Sequence, residues 1–162
     1  MPGIVYQSLR GFEYLEIVHQ LVKKGMAYEC FMTREDLEAN KEAARKEKRN
    51  YRCDDHRNLT HDQKVEYWSK GMSQTIRRNV DAIGKRTVGL NDLLLGDITC
   101  DTSEIEDFVL MRPMGGAMYA LATVVDDIEM GITHVIRGQE HLTNTFKQML
   151  IFYALGVEPP SY

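Results

Sequence analysis

Val124-Val-Asp-Asp-Ile-Glu-Met-Gly-Ile-Thr-His-Val-Ile-Arg-Gly-Gln-Glu-His-Leu-Thr-Asn-Thr145 runs from a carboxylate pair, Asp126 and Asp127, through the apolar segment Gly131 to Ile136, and on to Arg137, Gly138, Glu140 and His141. The apolar segment reads as a buried strand with His134 enclosed in it. A strand that ends on an Arg-Gly turn ahead of a helix is where α/β folds place ligand chemistry. Upstream, Asp107-Phe-Val-Leu-Met-Arg112 reads as a second strand, of the kind buried on both faces. Pro113-Met-Gly-Gly116 breaks it, and Ala117 to Asp126 follows with helical character. Downstream, a helix spans Leu142 to Leu155, with Phe146, Met149, Leu150 and Tyr153 on its core face; Gly156 and Pro159-Pro160 stop it. Strand, helix, strand, helix in this order predicts a parallel βαβ unit.

Working back to the start, Ser8 to Lys24 reads as an amphipathic helix capped by Ser8. Its apolar stripe is Phe12, Leu15, Val18 and Val22, widened by Ile17 and Leu21, and His19 stands on its surface. Gly25 is suited to the position just past its end. Ala27 to Phe31 is a short strand. Thr33 opens a helix to about Lys48 that carries few apolar residues and is therefore mostly solvated. Thr60 opens another, to Gly71. Strands then follow at Gln74 to Val80, Thr87 to Leu90 and Leu94 to Thr99, punctuated by Gly84, Asn91-Asp92, Gly96-Asp97 and Asp101-Thr-Ser103. That stretch reads as an antiparallel meander with helices around it, an α+β insertion into an α/β frame.

The 162 residues are 43% hydrophobic and 27% charged, enough for one domain, or one domain plus a sizeable insertion. No apolar run approaches the roughly 20 residues of a membrane span. Met1 to Ser8 lacks the charged and apolar regions of a secretory leader. Three cysteines, Cys30, Cys53 and Cys100, are an odd and widely spaced set, which argues against a disulfide framework and for a reducing compartment.

The net charge of −4 is unevenly spread. Residues 1–90 carry 17 Lys/Arg against 13 Asp/Glu, a balance of +4; residues 91–162 carry 3 against 11, a balance of −8. The basic residues cluster at Arg45, Lys46, Lys48, Arg49 and Arg52, where they suit either a phosphate backbone or a solvated helix end.

Among the chemical motifs, Cys53-x-x-His56 is a ligand-like pair and Cys30 a third donor, but Met32 stands where a Cys-x-Cys partner would, one short of the four ligands of a structural zinc. Zinc is therefore not expected. Phosphate-loop, dinucleotide and serine-nucleophile fingerprints are absent.

Val125-Asp-Asp127, Met130-Gly-Ile-Thr-His-Val-Ile-Arg-Gly138, Glu140-His141, Asn144-Thr145, Gln148, Ala154-Leu-Gly156 and Glu158-Pro-Pro160 together resemble the glutamyl-tRNA synthetases, class I aminoacyl-tRNA synthetases of protein biosynthesis. Tyr6-Gln-Ser8, Lys24-Gly-Met-Ala-Tyr28, Asn91-Asp92, Gly96-Asp-Ile-Thr99 and Asp107-Phe-Val109 match in the same order, so the resemblance covers nearly the whole chain. It implies an α/β fold: the second part of a class I Rossmann-type catalytic domain, in residues 1–25 and 113–162, carrying an α+β connective insertion, residues 26–112, that binds the tRNA acceptor stem. It implies ATP and Mg2+ as cofactors, with glutamate, ATP and the tRNA acceptor arm as partners. The expected setting is a cytoplasmic monomer without a membrane partner, an organelle being the other setting left open.

The resemblance also assigns residues. Tyr119, Arg137 and Thr123 fall at glutamate-binding positions, and Glu140 and His141 lie near ATP. Arg45, Lys46, Lys48, Arg49, Arg52, Arg77 and Arg78 are the expected tRNA contacts, and Asp126-Asp127 is expected to support Arg137. The family's Arg-Ser-Asp-Gly-x-Pro-Thr-Tyr loop is Arg112-Pro-Met-Gly-Gly-Ala-Met-Tyr119 here, so polar groups that frame the pocket are replaced. The family's His-Ile-Gly-His signature, Lys-rich ATP loop and anticodon-binding region are not in these residues. The chain by itself is accordingly expected to be inactive. Two other readings stand beside it: a paralogue that glutamylates a modified tRNA base, and a non-catalytic acceptor-arm binding module.

Overall fold

The computed structural model describes residues 4–162. The first three residues of the expected 1–25 segment lie outside the described residues. The elements are helix α1 (Gly11–Lys23), strand β1 (Ala27–Cys30), helices α2 (Arg34–Lys46), α3 (Asp54–Arg57) and α4 (His61–Ser69), strands β2 (Thr75–Arg78), β3 (Thr87–Asp92), β4 (Gly96–Asp101) and β5 (Val109–Met111), and helices α5 (Tyr119–Glu129) and α6 (Leu142–Leu155). No helix among them is long and apolar enough to cross a membrane.

Helix α1 buries Tyr14, Val18 and Leu21, spaced to fall on one helical face. Leu15, Ile17 and Val22 flank that face half-buried, but Phe12 is 77% exposed, so the stripe is rotated from the expected one. Ser8 lies in a 3-10 turn, Gln7–Leu9, and the residue at the helix cap is Arg10. At the other end Gly25 takes φ 71°, and Met26 N donates to Leu21 O over 2.9 Å, which closes the helix as a left-handed cap. Helix α2 buries only Ala44.

Helix α4 starts on a full capping box. Thr60 Oγ1 accepts from Gln63 N at 3.3 Å, and Gln63 Oε1 accepts from Thr60 N at 2.8 Å. Thr60→Ala should cost about 1 kcal/mol, read as a lowered denaturation midpoint; an unchanged midpoint would mean α4 is held by packing alone.

The expected meander resolves into two antiparallel units. Strands β1, β2 and β5 form one sheet with β2 in the centre, while β3 and β4 form a separate hairpin in unbroken register from Thr87↔Asp101 to Asp92↔Gly96. One core joins Tyr14, Val18 and Leu21 of α1 to Leu110, to Leu121 and Val124 of α5, and to Met149, Leu150 and Ile151 of α6, with Val80, Val88 and Leu90 from between them. A smaller core gathers Tyr28, Cys30, Ala44, Tyr51 and Cys53.

The parallel βαβ unit is not formed among the described residues. Residues 132–136 are extended, but their only bridge is a parallel one, His134↔Ser161. There Val135 N donates to Ser161 O at 2.8 Å, and Ser161 N donates to Thr133 O at 2.9 Å. Ile132 is 40% exposed and Ile136 fully exposed, and His134 is exposed with its Nδ1 3.0 Å from Thr133 Oγ1. The run is apolar, yet only Val135 turns inward far enough to be half-buried.

Two buried polar centres pin the layers together. Asp107 has no solvent exposure; its carboxylate accepts from Arg57 Nε and Nη2, both at 2.9 Å, from Tyr28 OH at 2.7 Å and from Val80 N at 3.2 Å. Arg78 is likewise fully enclosed, and its guanidinium donates only to carbonyls: Met26 O, Asn79 O and Leu150 O. Burial lowers its pKa to about 10, which still leaves it charged at neutral pH.

Candidate functional site

Helix α5 begins at Tyr119, with three residues between it and the break at Pro113–Gly115, where Met114 takes φ 67°. Ala120, Leu121, Val124 and Val125 point into the core. Tyr119, Thr123 and Asp127, four residues apart, are therefore stacked on another face. That face forms one wall of a cleft of about 400 Å³. The opposite wall is Val135, Ile136, Arg137 and Gly138, and the start of α6 closes the end with Glu140, His141, Asn144, Thr145 and Gln148. All five residues expected at the glutamate and ATP positions line this single cleft: Tyr119, Thr123, Arg137, Glu140 and His141.

At the corner Gly138 has an extended backbone, φ −75° and ψ 159°, and a Cβ there would meet only the carboxylate end of the exposed Glu140 side chain, which can swing aside. Glu140 and His141 are exposed, 3.8 Å apart, and Tyr119 is 60% exposed. Arg137, by contrast, has a side chain only 9% exposed.

The partner of Arg137 is not the expected one. Its Nη2 donates to Asp92 Oδ2 at 3.1 Å, and its guanidinium lies 5.6 Å from the centre of the Tyr162 ring. Its Nε is buried and has no hydrogen-bond partner among the described residues. Asp92 sits at the end of β3. Its Oδ1 accepts from Leu94 N and Leu95 N, both at 2.9 Å, and these bonds, with Arg137 adding to them, hold its carboxyl below the usual carboxylate range.

Asp126 faces the other way and ties α5 to the N-terminal segment. It accepts from Gln7 Nε2 at 3.1 Å, Arg10 Nε at 2.8 Å and Tyr14 OH at 2.9 Å. Asp127 lines the cleft, with its carboxyl pushed above the usual range by burial and then by Asp126. The Asp126-Asp127 pair therefore does not support Arg137: adjacent residues on a helix face different directions, and only Asp127 reaches the cleft.

The expected RNA-contacting cations divide into three groups. Arg45, Lys46, Lys48 and Arg49 are exposed around the end of α2, with Lys46 3.0 Å from Glu42 and Arg49 2.6 Å from Glu47. Arg52 is partly withdrawn, donating to Thr102 O at 3.0 Å and to Ile105 O. Arg77 and Arg78 are interior: Arg77 is 4% exposed and donates to Asp107 O at 3.0 Å, so neither guanidinium can reach a phosphate at the surface. Arg86, with a side chain 90% exposed, joins Lys48, Arg49 and Arg52 around one surface groove. Its only sequence signal is the Lys85-Arg86 doublet ahead of β3.

Cys30, Cys53 and His56 do converge, all buried, with their ligand atoms within 4.8 Å of one another. The two Sγ atoms are 3.5 Å apart, and His56 Nδ1 accepts from Phe31 N at 3.1 Å. The two sulfurs are in hydrogen-bond contact, with either able to donate, and that contact lowers the pKa of Cys30 while raising that of Cys53. Met32 Sδ is taken up by donors, Tyr51 OH at 3.2 Å and Asn40 Nδ2 at 3.4 Å. The gathered set is two sulfurs and one nitrogen, short of the four ligands of a structural zinc, so no step is assigned to a metal here.

A family model described as tRNA synthetases class I (E and Q), catalytic domain, matches residues 2–162. The chain is similar to glutamate–tRNA ligase 2 of Thermoanaerobacter pseudethanolicus, 46% identical over 164 residues that cover 99% of this chain and 33% of that protein. It is 42% identical over 162 residues to a glutamate–tRNA ligase of Synechococcus sp., with the same coverage. In three dimensions it is similar to a crystal structure of a glutamate tRNA ligase from Elizabethkingia meningosepticum in complex with its amino acid. There the TM-score is 0.85 at 29% identity, over 99% of this chain and 34% of the other. The chain thus spans about a third of the length of the curated relatives it matches.

Proposed function

The chain belongs to the class I tRNA synthetase family of glutamate and glutamine enzymes, in its catalytic domain, and from that premise we propose that it carries the amino-acid pocket of a glutamate–tRNA ligase. The observation that carries the proposal is the single cleft shared by Tyr119, Thr123, Arg137, Glu140 and His141. In the proposed reaction a glutamate carboxylate oxygen attacks the α-phosphorus of ATP, pyrophosphate leaves, and glutamyl-adenylate forms. The terminal hydroxyl of the tRNA then takes the acyl group and AMP leaves.

Arg137 offers a planar guanidinium to the substrate's side-chain carboxylate, and the Tyr119 hydroxyl orients the amino acid beside it. Thr123 stands one turn further along the same wall. Glu140 and His141 take the ATP side of the cleft. Mg2+ arriving with ATP would neutralise phosphate charge. The contribution of these residues is positioning and charge complementarity.

The division into 1–25, 26–112 and 113–162 belongs to the same proposal. In it the middle segment meets the tRNA acceptor arm through Arg45, Lys46, Lys48 and Arg49, with Arg52 and Arg86 at the groove beside them. A cytoplasmic, monomeric setting completes it, in keeping with three free cysteines.

The test is ATP–pyrophosphate exchange and tRNA charging by the complete protein. Activity with glutamate and none with glutamine is expected; no glutamate-dependent activity overturns the reading. The 162 residues alone are expected not to charge tRNA, and a charging rate above a buffer control would contradict that. Arg49→Ala should weaken tRNA binding and lower the steepness of its salt dependence by about one unit; an unchanged slope removes Arg49 from the interface.

A further inference from the structure

The substrate arginine is held by the hairpin, not by the wall of the cleft it belongs to. Asp92 ends β3 at the hairpin tip and is 7% exposed. Its Oδ1 is fixed by the backbone N–H groups of Leu94 and Leu95, which leaves Oδ2 aimed at Arg137 Nη2, 3.1 Å away. The tip is itself anchored, since Leu93 N donates to Tyr162 O at 2.7 Å, and the Tyr162 ring lies beside the guanidinium.

Of the guanidinium's donors, Nη2 is bonded to Asp92, and Nε is enclosed without an acceptor among the described residues. An enclosed Nε is not reached from the cleft, so an incoming carboxylate would meet the Nη edge of the fork. A guanidinium fixed at one Nη by a rigid carboxylate is preorganised to offer its remaining Nη hydrogens to a second carboxylate.

We propose that Asp92 is a positioning residue for amino-acid binding: it fixes the guanidinium of Arg137 so that its remaining Nη hydrogens meet the carboxylate of the substrate. This rests on the reading of Arg137 as the glutamate-binding arginine. It also makes the β3–β4 hairpin, part of the middle segment, a structural support of the amino-acid pocket.

Asp92→Asn tests it with little disturbance, because the asparagine carbonyl can still accept from Leu94 N and Leu95 N while the charge facing Arg137 is gone. In the complete protein, ATP–pyrophosphate exchange should show the glutamate KM raised about tenfold, with the ATP KM and the melting temperature nearly unchanged. Arg137→Lys is measured alongside it, and in the double variant the two effects should not add, because they act through one contact. If Arg137→Lys raises the glutamate KM and Asp92→Asn does not, the positioning role is overturned while the site reading stands. If neither moves it, the reading of Arg137 falls and takes this inference with it. If Asp92→Asn shifts the glutamate KM, the ATP KM and the melting temperature together, Asp92 is a general structural residue and the inference is wrong.

Discussion

Asp107→Ala should destabilise the fold by about 3–5 kcal/mol, the range for removing one partner of a buried ion pair. The Asp107 carboxylate is wholly enclosed and accepts four hydrogen bonds: two from Arg57 and one each from Tyr28 and Val80. Deleting it leaves the Arg57 guanidinium, whose side chain is 11% exposed, with only Asp81 and Asp54 on its outer side. It also strands the buried Tyr28 hydroxyl and the Val80 amide. Small domains are stable by about 5–15 kcal/mol in all, so this one change would remove a large part of the total. Chemical denaturation of the purified protein measures it. A loss under 1 kcal/mol would mean that water enters and solvates Arg57, so that the centre is not the pin between β1, α3 and β5 that its geometry suggests.

Arg137→Lys should raise the glutamate KM of the complete protein about 100-fold, close to 3 kcal/mol, the upper range for hydrogen bonds to a charged group. Lysine keeps the charge but replaces a planar fork by one rotating ammonium, which cannot hold Asp92 and a substrate carboxylate along two fixed edges. The ATP KM should hardly move, since the proposed site gives the ATP side of the cleft to Glu140 and His141 rather than to Arg137. An unchanged glutamate KM would return Arg137 to a purely structural role as the partner of Asp92.

Local chemistry is what the sequence discloses. Helices α2, α4 and α6 are legible because each carries its own boundary signal: Thr33 accepting from Asp36 N, the Thr60–Gln63 box, and Gly156 in the left-handed region. The gathering of Tyr119, Thr123 and Arg137 in one cleft is legible because the family motif carries all three. Asp92 is not, because its partnership with Arg137 spans 45 residues and the Asn91-Asp92 pair reads by itself as a turn. Arg77 and Arg78 read as surface cations because arginine is rarely enclosed, and bonds to main-chain carbonyls leave no trace in side-chain pattern. Residues 132–136 mislead for the opposite reason. An apolar run reports what a segment prefers, not whether a neighbouring strand is present to cover it, and Ile136 is fully exposed.

The enclosure of Arg78 sets an order of events while the chain is being made. Its guanidinium closes on Met26 O, which precedes it, and on Leu150 O, which lies 72 residues later. At translation speeds of about 5–20 residues per second, roughly 4–14 s separate the synthesis of Arg78 from that of Leu150. Throughout that interval Arg78 lacks the Leu150 carbonyl that completes its set of acceptors, so the centre of the sheet cannot close fully until α6 is available.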